Sequence, residues 1–87
     1  SQVLEGEKII IEEMNNLGTS KSDNLRYDQL KIEREGLYKK CIPYLKNLIE
    51  ISPENLSALN TLKNIYGVIG DNEGFKQISS KINELEN

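Results

Sequence analysis

The sequence predicts an all-α protein of about four helices, arranged as antiparallel hairpins in a right-handed array. Three observations predict it. Apolar residues recur at i, i+4 and i+7 along most of the chain, the spacing of one face of an α-helix. Glycine, serine, aspartate and proline interrupt those stretches where helices start and stop. The pattern also returns after 34 residues, so that Ile10, Met14 and Leu17 fall on Tyr44, Leu48 and Ile51, and again on Ile78, Ile82 and Leu85. The same offset pairs Leu25 with Leu59, Gly36 with Gly70 and Glu50 with Glu84. Each triplet is expected to mark the inward face of a helix.

Residues 3–17 form the first expected helix, which Gly18-Thr19-Ser20 ends; Ser20 or Ser22 caps the next. Residues 25–51 admit two readings. A break near Gly36 gives two antiparallel helices, whereas an uninterrupted helix runs through the glycine. The long helix is favoured, because Arg34-Glu35-Gly36-Leu37 has no other turn residue and a lone glycine costs a helix only ~1 kcal/mol. Leu30, Leu37 and Tyr44 share a seven-residue spacing, as do Cys41 and Leu48, so one face continues along it. Pro43 deletes the bond to Lys39 and is expected to kink this helix without ending it. Ser52-Pro53-Glu54 reads as an N-cap, a first-turn proline and an acid at the positive helix end. Leu56, Leu59, Leu62, Ile65, Tyr66 and Ile69 then form an apolar stripe. Gly70 supplies the left-handed stop, Asp71 caps the last helix, and Phe75, Ile78, Ile82 and Leu85 are expected to point inward.

Composition narrows the function classes. The 87 residues include no histidine and one cysteine, which leaves no imidazole base or ligand and no intrachain disulfide. The longest apolar run, Ile9-Ile10-Ile11, is far too short to span a membrane, so no membrane insertion is expected. A net charge of −3 with mixed signs lacks the basic clustering of a nucleic-acid footprint. Lysine outnumbers arginine nine to two, and asparagine and isoleucine are abundant, a bias expected of an AT-rich bacterial genome. The compartment stays open between cytoplasm and, after removal of a leader, the periplasm. No cofactor or metal is expected, because no ligand cluster is assembled. Asp71-Asn72-Glu73-Gly74 lacks the length of a calcium loop and reads as a turn and cap. Cys41, among Leu37, Ile42 and Leu45, reads as a small core residue and not a nucleophile.

Residues 36–85 resemble the tetratricopeptide repeat family. In the last unit Leu59, Leu62 and Tyr66 stand in the Trp, Leu and Tyr slots of the family pattern, followed by Gly70-Asp71 at the hairpin turn. In the unit before it, Cys41 takes the small-residue slot, Leu45 the Phe slot and Pro53 the closing proline. Leu25-Asp28-Ile32 matches weakly, because Asp28 replaces an apolar residue. The resemblance implies one helical domain over 1–87: a half-unit helix at 1–18, a divergent unit at 22–55 and the best-matching unit at 56–87. It also implies that the chain is the C-terminal part of a longer protein. Gln29, Lys63 and Phe75 stand where the family keeps glycine or alanine, and Leu48 and Ile82 fill another small slot. Helix crossings are therefore expected to differ from the family's.

What the resemblance implies about activity is non-catalytic holding of a peptide or partner protein in a concave groove. Its lining maps here to Asn60, Asn64 and Gly67, with Ser57 and Lys63 at the margins and Arg26, Leu30 and Glu33 completing the floor. Asn60 and Asn64, four apart, share one helix side, and carboxamides both donate to and accept from a peptide backbone. The plain alternative is solvated surface, the commoner fate of polar residues. Leu30 sits where a carboxylate-clamping relative needs asparagine, so a dicarboxylate clamp is not expected. Tyr27 and Tyr38 either face a partner or pack on the first helix. Because repeat arrays need about three units, self-association into a homodimer is a further expectation, with a structural cap lacking a peptide site as the alternative role.

Overall fold

The computed structural model describes residues 2–87, with side chains from residue 5 onward, as four helices: α1 (Gln2–Asn16), α2 (Lys21–Ile51), α3 (Leu56–Ile69) and α4 (Asn72–Glu86). No strand occurs among the described residues. The chain divides into two compact units, Ser1–Tyr38 and Lys39–Asn87, and the division falls inside α2 and not at the repeat boundaries. Helix α2 passes through both Gly36 and Pro43, so the uninterrupted reading of this stretch holds. Gly36 is exposed and no positive φ is found there, so the helix loses only the glycine's intrinsic propensity.

In the first unit, the link from α1 to α2 is closed by reciprocal hydrogen bonds. The Ser20 Oγ accepts from the Asp23 amide at 3.1 Å, and the Asp23 carboxylate accepts from the Gly18 amide at 3.1 Å. Ser20 is therefore the cap, with Asp23 favourably placed at the positive helix end. Ile10 and Leu30 are buried apolar residues here. Polar clamps join α1 to α2 beside them: Arg26 grips the Glu13 carboxylate bidentately, at 2.6 and 3.1 Å. Tyr38 donates its hydroxyl hydrogen to Glu7, and Arg34 donates to the same hydroxyl at 3.1 Å. Tyr38 thus packs on the first helix, whereas Tyr27 stays exposed.

In the second unit, Ile49 from the end of α2 joins Ala58, Leu59, Leu62 and Tyr66 of α3 and Ile78 and Ile82 of α4 in one apolar core. Between α2 and α3 the expected cap is displaced. Asn55, not Ser52, caps α3, its side-chain oxygen accepting from the Ala58 amide at 3.0 Å. Ser52 instead opens a tight turn in which its carbonyl accepts from the Asn55 amide, with Pro53 second in the turn, where its fixed φ suits and no amide hydrogen is needed. Gly70 ends α3 in the left-handed region, at φ 76°, and Asp71 caps α4 by accepting from the Gly74 amide at 2.9 Å. A Cβ at Gly74 would lie 2.9 Å from the Tyr66 ring, so the close approach of α4 to α3 rests on this glycine.

Two expectations about inward faces are corrected. The middle triplet points outward: Tyr44 is 75%, Leu48 47% and Ile51 80% exposed. The core face of α2 is instead carried by Ile42, Leu45 and Ile49, offset around the helix from the 34-residue phase. In α4 only Ile78 and Ile82 are buried; Phe75 and Leu85 are partly exposed, and the Phe75 ring lies 5.4 Å beneath the Lys63 ammonium.

Candidate functional site

The second unit carries an open groove of about 610 Å³, within the size range of ligand clefts. Its apolar walls come from Ile49, Leu62, Tyr66, Ile78 and Leu85. Pro53, in the turn after α2, also lines the groove. The rim is charged: Lys46 and Glu50 project from α2, and Lys81 and Glu84 from α4, with Gln77 beside them. The lining residues recur at i, i+3 and i+4 in α2 (Lys46, Ile49, Glu50) and at i, i+4 and i+7 in α4 (Gln77, Lys81, Glu84), which is why each helix presents one lip to the groove. Acid and base on each lip give a surface that can meet either sign of charge, over a floor that favours an apolar side chain.

The sequence singled out different residues. Ser57, Asn60, Asn64 and Gly67 lie together on one exposed face of α3, and Lys63 sits at its edge over Phe75. Their side of α3 is opposite the Leu62 and Tyr66 side, so none of them lines the groove. No hydrogen bond to another described residue engages the Asn60 or Asn64 carboxamide. The remaining candidates belong to the first unit. There Leu30 is 1% exposed and offers a partner no surface, which removes it from the expected groove floor. Arg26 is held by Glu13 and lies 3.9 Å from Glu33, so its guanidinium is already engaged within the unit.

The lips of the groove escaped the sequence reading because their charges looked like ordinary solvated helix surface. One signal did exist: Glu50 and Glu84 coincide in the 34-residue offset, and both stand on the rim.

Electrostatic tuning is concentrated in the first unit. Hydrogen bonding from Arg26 holds the Glu13 carboxyl below the usual glutamate range. Burial, followed by the hydrogen bond to Glu7, pushes the Tyr38 hydroxyl above its ordinary value. Both are ion pairs and hydrogen bonds between neighbouring helices, and none of these residues lines the groove of the second unit. Among the described residues no group of three histidine, cysteine, aspartate or glutamate side chains is placed to hold a metal ion, and no helix is long and apolar enough to cross a membrane.

Comparisons with protein-family models, curated proteins and solved structures return no match to this chain.

Proposed function

We propose that this is a non-catalytic binding module, similar to a tetratricopeptide-type domain, that holds an amphipathic segment of another protein in the groove of its second unit. The observation that carries this reading is an open apolar trough whose two lips each bear a lysine and a glutamate. An apolar side chain of the bound segment settles over Ile78 and Leu85, which removes exposed hydrocarbon from water on both partners. Charged neighbours of that side chain meet Lys46 and Lys81 or Glu50 and Glu84, fixing direction and register more than adding affinity.

A second reading places the site on the outer face of α3. It is favoured by the shared exposure of Ser57, Asn60, Asn64 and Gly67 and by the unengaged carboxamides of the two asparagines. Selection from a displayed peptide library, followed by titration of the enriched peptide, separates the two. Leu85→Asp, at a partly exposed position near the chain end, is expected to weaken binding by about tenfold or more, while Asn60→Ala/Asn64→Ala leaves it unchanged. The opposite outcome transfers the site to α3. Failure to enrich any peptide supports a structural cap without a peptide site.

A further inference from the structure

The groove of the second unit has a direction. Within this unit short turns, at 52–55 and at Gly70-Asp71, join α2 to α3 and α3 to α4, so consecutive helices run antiparallel. Tyr66, late in α3, meets Gly74, early in α4, as that arrangement requires. Residues 39–51 of α2 and the whole of α4 therefore run the same way along the two lips. On each lip the lysine precedes the glutamate, Lys46 before Glu50 by about 6 Å of helix rise and Lys81 before Glu84 by about 4.5 Å. All four side chains are exposed, and none makes an ion pair among the described residues. The two lip dipoles point the same way and reinforce each other.

The placement of the glutamates runs against their own helices. Glu50 lies in the last turn of α2 and Glu84, with Glu86, in the last turn of α4; neither turn holds a base. A helix C-terminus carries partial negative charge, so acids there are disfavoured within the unit itself. The Glu50–Glu84 end of the groove is thus doubly negative. A positive helix end or a basic side chain relieves it.

We infer, on the reading that this groove holds a segment of another protein, that its occupant is an amphipathic helix running antiparallel to α2 and α4, with a base in its first turn and an acid in its last. An extended segment would lay backbone N–H and C=O groups over Ile49, Leu62, Ile78 and Leu85, whose side chains offer no hydrogen-bond partner. A helix satisfies its own. The α4 lining from Gln77 to Leu85 spans about 12 Å, so a helix of about two to three turns brings both its ends to the lips. Its first N–H groups, unpaired in any helix, find acceptors in Glu50 and Glu84. Its last carbonyls find donors in Lys46, Lys81 and Gln77. The reverse direction would set lysine donors against N–H groups and glutamate acceptors against carbonyls.

Two designed helical peptides of equal composition test the inference. Both carry leucines at i, i+4 and i+7; one has lysine in its first turn and glutamate in its last, and the other exchanges them. Wild type should bind the lysine-first peptide about tenfold more tightly, read by fluorescence anisotropy. A nitroxide on the N-terminus of that peptide should broaden the amide resonances of Leu85 and Glu86 and spare Phe75 and Lys76. Lys46→Glu/Glu50→Lys/Lys81→Glu/Glu84→Lys keeps the net charge, changes only exposed positions and should leave the circular dichroism unaltered. In that variant the broadening should move to Phe75 and Lys76. Equal affinity for the two peptides overturns the charge order, and broadening at both ends or at the wrong end overturns the direction. A bound peptide without helical carbon-13 shifts overturns the helix, and no binding of either peptide overturns the inference as a whole. Leu85→Asp keeps these failures apart from that of the groove. Binding that it abolishes, without directional preference, leaves the groove and sinks the inference; binding that survives it sinks both.

Discussion

Ser1–Tyr38 and Lys39–Asn87 are both built from amphipathic helices, yet different forces join those helices within each unit. In the first, Ile10 and Leu30 are the buried apolar residues among those whose side chains are described, and charged clamps from Glu13 to Arg26 and from Glu7 to Tyr38 and Arg34 tie α1 to α2. In the second, Leu59 and Leu62 are almost wholly buried in a core contributed by three helices, and no clamp of that kind occurs among its described residues. The difference has a physical consequence. Apolar burial yields ~25 cal/mol per Å², involves no titrating group and is not screened by salt, whereas exposed ion pairs contribute ~1 kcal/mol or less and weaken in salt. The second unit, with its three-helix apolar core, is therefore expected to resist salt and acid better than the first. The first depends more on solution conditions.

The strongest way to break this contrast is in the core. Leu62→Ala removes a side chain that is 1% exposed and should cost about 2–5 kcal/mol in urea denaturation. It should also collapse amide-exchange protection across α3 and α4 first. Gly74→Ala comes next. Its Cβ would lie 2.9 Å from the Tyr66 ring, and overpacking of this sort costs about 1–3 kcal/mol, read as a lowered urea midpoint with unchanged slope.

A pair of glycine substitutions sharpens the contrast further, because their signs should be opposite. Gly70→Ala forces a Cβ into φ 76° and should destabilise by about 1 kcal/mol. Gly36→Ala meets open space in a continuous helix and should stabilise by about the same amount. Equal signs would mean that α2 does not behave as one helix in solution.

The smallest effect belongs to the Arg26–Glu13 clamp. Glu13 is held below its ordinary pKa in the folded state, chiefly by the Arg26 hydrogen bond. Its contribution is therefore complete above the ordinary glutamate range and is lost as pH falls through the lowered value. Arg26→Gln should flatten that acid-side loss of thermal stability and reduce the salt dependence of the first unit, where the Glu7–Arg34 pair remains, leaving neutral-pH stability of the second unchanged.

Local signals in the sequence were reliable where a few adjacent residues decide the outcome. Gly70 and Asp71 end one helix and cap the next because a left-handed residue and a short carboxylate solve those problems locally. Ser20 does the same for α2. Where two local solutions competed, sequence alone chose less well. Ser52 and Asn55 are both competent caps, and the turn through Pro53 placed Asn55 at the helix start. The candidate site was less legible. Asn60 and Asn64 were correctly placed together on one face, but the groove lies on the other side of α3, and its lysine and glutamate lips look in sequence like any solvated helix surface.

What the sequence determined by itself is the all-α class, the helix ends fixed by caps and glycines, and the exclusion of histidine-dependent chemistry. Those follow from period, capping and composition, all of which act within a few residues. Only the tertiary structure decided which of two apolar faces of α2 is buried in the second unit. Tyr44, Leu48 and Ile51 are as apolar and as well spaced as Ile42, Leu45 and Ile49. A helix carrying two such faces has no local reason to prefer one. The choice belongs to α3 and α4, whose core engages Ile42, Leu45 and Ile49 and leaves the other stripe exposed.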